Sequence, residues 1–425
     1  MKKTLLYMVC MAVMTTAFTA CGNDDDFTAS IYDTSIPVVD PNATTYPFDQ
    51  WVYDNFTKPY NVEIQYQFDL PASDHSFQLV PAEYKRSQVL AHFIRYLFYD
   101  VYTKYAGEDF MRQYGPRIFH FIGSSGYNPN KGTEVLGTAS GGVKITLYKI
   151  NNLKGYVPGS TVYGGEDMDE LNQNYFHTMH HEFSHIQHQT KPYPITFGQI
   201  TSSTYDPVDW GDRDSLASHT MGYVTQYGSS ANYEDFVETL SCIITDSDLR
   251  WMRRIIRATI PGFRAGDKED ILELVANLGI DANKAGAEWT KFSIYDEKKY
   301  DVELGTYQPT NRVGIQQDVD DHSPVPWSNY INKVHDPNKG KYVDEYQYTL
   351  KKSFNSFAEF LDWVPIKTDD SITGINSLLK KISIATAWHK EKWGLNTFTL
   401  RKEVAARQKN INSYLSSEVT IYDYK

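Results

Sequence analysis

Positions 177 to 188 hold five of the chain's twelve histidines, and among them lies His181-Glu182-Phe183-Ser184-His185. On a helix, residues i and i+4 share a face, so His181 and His185 can grip one metal ion. Glu182 stands beside them, where it can take a proton from water activated by that metal. This is the chemistry of a zinc-dependent hydrolase, with a peptide or protein as the expected substrate.

A catalytic zinc takes three protein ligands and leaves one position open. The longer pattern that continues with a glycine and a third histidine is excluded, because His188 and Lys191 stand at those positions. His188 lies within reach on the helix but completes no known ligand set. The better candidates sit on a second predicted helix at 233–239, where Glu234 and Glu238 are spaced i, i+4 on one face. One carboxylate can bind zinc while the other accepts a hydrogen bond from a ligand histidine and fixes its tautomer. His177, His180 and His188 read as polar neighbours or surface residues. Cys10, Cys21 and Cys242 are the only cysteines, so no thiolate cluster competes for the metal. Cys242, one turn beyond Glu238, reads as a small buried apolar residue.

The elements that must position these residues are legible as periodicities. Val62, Ile64, Tyr66 and Phe68 alternate with polar residues, a strand with one buried face. Apolar residues at helical spacing span 82–105 and end at Gly107. Residues 118–122 and 143–147 read as buried strands, the second entered through Gly141-Gly142. The helix carrying the histidines is expected from Gly164 to about Gln189, stopping before Pro192. These elements predict an α+β, zincin-like fold: an N-terminal mixed sheet, the H-E-x-x-H helix and a mostly helical C-terminal half. The strand at 143–147 is the expected edge on which an extended substrate pairs. Tyr346, Phe354, Phe357, Phe360 and Trp363 read as core rather than as a sugar-binding platform.

Over 425 residues, 41% hydrophobic and 22% charged residues describe a globular protein large enough for more than one domain. A formal charge of −12 argues against nucleic acid as a partner, since phosphate binding needs clustered Lys and Arg. Residues 1–20 read as a signal peptide, with Lys2 and Lys3 before an apolar run too short to span a bilayer. Thr19-Ala20-Cys21 resembles the bacterial lipobox, which implies cleavage before Cys21 and lipidation of that cysteine. Residues 21–45 read as a polar tether, and Asp24-Asp25-Asp26 resembles the surface-export signal of Bacteroidetes-type lipoproteins. The catalytic core is expected at 46–291. Residues 292–373 read as an insertion or diverged segment, and 374–425 as a helical segment that completes the domain.

Tyr227-Gly228, Asn232 and Glu234-Asp235-Phe236-Val237-Glu238 resemble the corresponding segment of lethal-factor-type gluzincins. That resemblance implies Glu234 as the third zinc ligand and Glu238 as the carboxylate behind a ligand histidine. It implies Tyr227 as the phenol that supports the oxyanion. The His-Glu-Phe-Ser-His-Ile core, the Tyr-Glu-Asp-Phe-Val-Glu helix and the segment from Trp51 to Asn61 are similar to the substrate import-associated zinc metallohydrolase lipoproteins. These belong with the zinc-binding metallopeptidases of Bacteroidetes. The similarity runs to about residue 260 and resumes near 378–401, with Trp393-Gly394-Leu395 and Leu400-Arg401. It implies one zinc ion, an outer-membrane lipoprotein exposed at the cell surface, and association with a TonB-dependent importer and its surface lipoprotein. A non-catalytic peptide- or glycan-binding accessory of the importer is the alternative, and so is a zinc hydrolase acting on a non-peptide bond. An intact H-E-x-x-H favours an enzyme, because a pure binder has no need of Glu182.

Overall fold

The computed structural model describes residues 39–69, 71, 73, 77–128, 133–135, 137–140, 143–154, 163, 165–281, 292–315, 333–368 and 374–425. The signal peptide, Cys21 and the acidic run after it lie outside the described residues. The chain divides into two units, Met1–Gln50 with Asp423–Lys425 and Trp51–Tyr422. In the first, the Lys425 backbone N–H donates to the Thr44 carbonyl at 2.8 Å and its ammonium to the Pro41 carbonyl at 2.7 Å. Everything that follows lies in the second.

Four short strands form the N-terminal sheet: Glu63–Gln65 (β1), Ile118–Phe121 (β2), Gly137–Ser140 (β3) and Lys144–Leu147 (β4), in the order β1-β2-β4-β3. β1, β2 and β4 run parallel, with Ile64, Phe119 and Ile145 in register, and β3 returns antiparallel along β4. Val62, Ile64 and Tyr66 are buried and Glu63 and Gln67 exposed, as the alternation predicts. The edge strand is a correction: β4 is interior, and among the described residues the terminal strands are β1 and β3. Residues 137–142 are Gly-Thr-Ala-Ser-Gly-Gly and lack any apolar alternation. Residues 137–140 pair with β4 through backbone hydrogen bonds, which composition does not reveal.

Two long helical runs follow the predicted periods. The first joins helix Tyr84–Ile94, a wide turn Arg95–Tyr99 and helix Asp100–Ala106. The second joins helix Gly165–Leu171, a wide turn Asn172–Phe176 and the motif helix His177–Thr190. Lys191 is extended (φ −129°, ψ 97°), the conformation a residue before proline must take, and this ends the motif helix. Its core face carries Met179 and Phe183. The Phe183 ring lies 4.9 Å from that of Tyr102 and 5.5 Å from that of Phe98. Burying such a side chain stabilises the fold by roughly 2–3 kcal/mol and fixes the helix rotation, turning His181 and His185 away from the core.

The motif helix packs against a second helix, Asn232–Thr245, which also touches the C-terminal helices Gly374–Trp393 and Thr397–Lys409. The helical C-terminal half is interrupted. Phe292–Asp301 (β5), Thr306–Ile315 (β6) and Tyr346–Phe354 (β7) form an antiparallel sheet in the order β7-β5-β6. The register shifts twice, and of the described β5 residues only Ile294, Glu297 and Tyr300 are buried, so no clean two-residue period marks the strand. Phe354, Phe357 and Phe360 join the core around Trp251 and Ile255, whereas Tyr346 and Trp363 are half-buried. Among the described residues no helix is long and apolar enough to cross a membrane.

Arg401, on the last long helix, closes the end of Asn232–Thr245. Its guanidinium donates to the carbonyls of Leu278 at 2.9 Å, Ile243 at 3.1 Å and Asp246, and to the Asp248 carboxylate at 2.6 Å. Arg401→Met leaves three buried carbonyls without their donor and is expected to cost about 3 kcal/mol in urea unfolding. A loss below about 1 kcal/mol contradicts this role.

Candidate metal centre

His181 and His185 fall on the same face of the motif helix because they are one turn apart, and Glu234 enters from the first turn of the facing helix. An acidic residue is favoured there by the helix dipole. The Glu234 Oε2 atom lies 3.1 Å from His181 Nε2 and 3.3 Å from His185 Nε2, and the two Nε2 atoms are 3.2 Å apart. Three potential ligand atoms therefore converge on one point. Among the described residues two further groups of ligand-type residues occur, His177/His181/Glu238 and His177/Cys242/Asp246. Both draw on His177, whose Nε2 is held by Glu238 at 2.8 Å, and Asp246 is engaged by Arg254 at 2.6 Å. The set His181, His185 and Glu234 has the donor chemistry zinc prefers, two imidazole nitrogens and a carboxylate oxygen.

Glu238 stands one turn behind Glu234. Its Oε1 accepts from His181 Nδ1 at 2.7 Å and from His177 Nε2, and its Oε2 accepts from the Thr225 hydroxyl at 2.5 Å. Holding Nδ1 leaves His181 Nε2 aimed at the convergence point. His188 does the same for the second histidine, with its Nε2 at 2.9 Å from His185 Nδ1. Spacing alone suggested neither partnership for His177 or His188. Each depends on how the helix is rotated against its neighbours. His180 corrects the sequence reading: it points the other way, fully buried, with Nδ1 2.9 Å from the Tyr102 hydroxyl. Cys242 is buried and free, as expected.

The electrostatics follow from burial against charge. Burial pulls His181 down, but hydrogen bonds to Glu234 and Glu238 outweigh it and lift the imidazole to about 9. Burial raises Glu234, yet His181 and His185 draw it down to about 2. The centre thus favours a cation among its carboxylates. Glu182 is half-buried, and desolvation holds its carboxyl above the ordinary glutamate value against the pull of His181 and His185. A raised carboxyl is suited to accepting and returning a proton. The Tyr227 hydroxyl hydrogen-bonds Glu234, and its ring sits 5.9 Å from that of His181. Tyr227 is 37% exposed as a residue, and partial desolvation of its hydroxyl together with that carboxylate keeps the phenol protonated, hence a donor. Trp210 packs edge-on against Tyr227 at 5.0 Å, a contact that no spacing in the sequence signals.

A helix-borne His-Glu-x-x-His facing a helix that supplies glutamate is the arrangement of a zinc metallohydrolase site. The chain belongs to the family described as putative zinc-binding metallo-peptidase, whose model matches residues 41–290. Among solved structures it is similar to a putative zinc-binding metallo-peptidase from Bacteroides caccae, at 22% identity and a TM-score of 0.53. The match covers 92% of this chain and 100% of that one. That likeness supports the fold. No curated protein matches the chain.

Glu238→Gln keeps the shape but removes the charge that holds His181, and a carboxylate of this kind is worth about 10–100-fold in metal affinity. Zinc binding measured by chelator competition is expected to weaken within that range. Unchanged affinity contradicts the role of Glu238.

Proposed function

We propose that this protein is a zinc-dependent peptidase in which His181, His185 and Glu234 hold one zinc ion. The observation that carries the reading is the convergence of three ligand-type atoms from two helices, with the Glu182 carboxylate beside them. When bound, zinc supplies Lewis acidity that acidifies water and polarises a carbonyl. Glu182 accepts the proton of the attacking water and delivers it to the departing amine. The Tyr227 hydroxyl, which hydrogen-bonds Glu234 in the structure, turns its proton to the oxygen on which negative charge develops. Glu238 and His188 keep the two imidazoles oriented through their Nδ1 atoms. β3, terminal in the sheet among the described residues and lying against the motif helix, is where an extended peptide can add as a further strand.

The setting proposed for this activity is the outer membrane of a Gram-negative, Bacteroidetes-type cell. There the protein is a surface lipoprotein anchored through Cys21, working beside a TonB-dependent importer and its lipoprotein partner. Support comes from Thr19-Ala20-Cys21, the acidic run after it and the family resemblance.

The test is a peptide-library digest by purified protein with and without a chelator, beside Glu182→Gln. Wild type should carry zinc and cut peptides until the chelator is added. Glu182→Gln should retain zinc and lose about 100-fold or more in turnover. A variant that cuts as fast as wild type removes Glu182 from the mechanism. Absence of stoichiometric zinc points instead to a binding accessory.

A further inference from the structure

Lys381, in the middle of the helix Gly374–Trp393, is almost wholly buried. Its ammonium reaches the Asp235 carboxylate at 2.7 Å, donates to the Gly222 carbonyl at 3.0 Å and lies 3.8 Å from the centre of the Tyr223 ring. An ammonium has three N–H groups, and these three partners match them. Asp235 is fully buried too, and its Oδ2 also accepts from the Tyr205 hydroxyl at 2.7 Å.

The partners are informative because of what they adjoin. Asp235 follows Glu234 in the chain, so the lysine grips the first turn of the helix that offers the third ligand. Gly222 opens the stretch that ends at Tyr227-Gly228. A Cβ placed on Gly228 would sit 3.4 Å from Asp235 Oδ1, so the far end of that stretch rests on the same carboxylate. The close approach is built in. Gly222 has φ +87°, and a Cβ there would meet Ser377 Cβ at 2.4 Å, while a Cβ on Gly374 would meet the Thr220 carbonyl at 2.2 Å. Two glycines let the C-terminal helix press onto the turn before Tyr223.

A buried ion pair is a weak source of stability, because an apolar replacement of similar shape is often as stable. What it fixes is position. We propose that Lys381 is a positioning residue of the metal centre: through Asp235 and Gly222 it sets Glu234 and Tyr227 relative to His181 and His185. Residues 374–393 then form part of the site although they lie beyond the segment that the family model matches. The inference rests on Glu234 as a zinc ligand.

The test uses Asp235→Asn/Lys381→Met, which removes both charges together and leaves no lone buried ion. It is read by unfolding midpoint, by zinc affinity from chelator competition, and by the visible spectrum of the cobalt(II)-substituted protein. The last two do not depend on turnover. The folded double variant is expected to bind zinc about 10-fold or more weakly and to show a changed cobalt spectrum, with kcat falling more than KM changes. Zinc affinity within about twofold of wild type, with a superimposable cobalt spectrum, overturns the proposal. Tyr205→Phe, which removes one hydrogen bond to Asp235 and no charge, carries the test if the double variant does not fold. About threefold weaker zinc supports the proposal and unchanged zinc overturns it. Wild type that binds no zinc sinks both this inference and the metal-site reading. Wild type that binds zinc no better than the folded double variant sinks this one alone.

Discussion

A buried carboxylate without partners is costly, and Glu238 is buried with every partner supplied by elements that build the site. It accepts from His181 and His177 on the motif helix and from Thr225 on the stretch leading to Tyr227. One side chain therefore locks two helices and a turn in register. If the two helices slid against each other, two hydrogen bonds to a buried charge would be lost together. The same register brings Glu234, one turn away, opposite His181 and His185. The position of the proposed third ligand is in this sense a consequence of satisfying Glu238.

Around that lock the remaining scaffold has a division of labour. Phe183 and Met179 anchor the far side of the motif helix in an aromatic core with Phe98 and Tyr102. Arg401 closes the end of the facing helix, and Lys381 holds its beginning through Asp235. Both cations come from the C-terminal helices, so a candidate centre whose ligand-type residues lie between 181 and 234 draws on chain far beyond them. The centre is rich in acids: Glu182, Glu234, Asp235 and Glu238 crowd a small volume. Histidines and Lys381 offset them.

The parts legible in the sequence are those set by local period. The i, i+4 spacings of His181/His185 and Glu234/Glu238 placed two facing pairs, because a helix of known pitch leaves no alternative. The alternation at Val62, Ile64 and Tyr66 and the stop before Pro192 were readable for the same reason. Features that depend on pairing across the chain were not. A terminal place in the sheet passed to β3, a short strand without an apolar pattern. His177 and His188 became partners of Glu238 and His185, and His180 became a core residue. Five histidines within one helix can be sorted only once its rotation is known. The link from Lys381 to Asp235 had no local signature at all. The strands between 292 and 354 were hidden by polar composition and shifted register.

The central claim is that one zinc ion is held by two histidine nitrogens and one glutamate oxygen. X-ray absorption at the zinc edge on metal-loaded protein tests it most directly, combined with the metal-to-protein ratio. The account predicts one zinc per chain, with only nitrogen and oxygen neighbours at about 2.0–2.2 Å. A sulfur neighbour at about 2.3 Å would place the metal at Cys242 instead. That result, or a ratio far from one, would contradict the assignment of His181, His185 and Glu234.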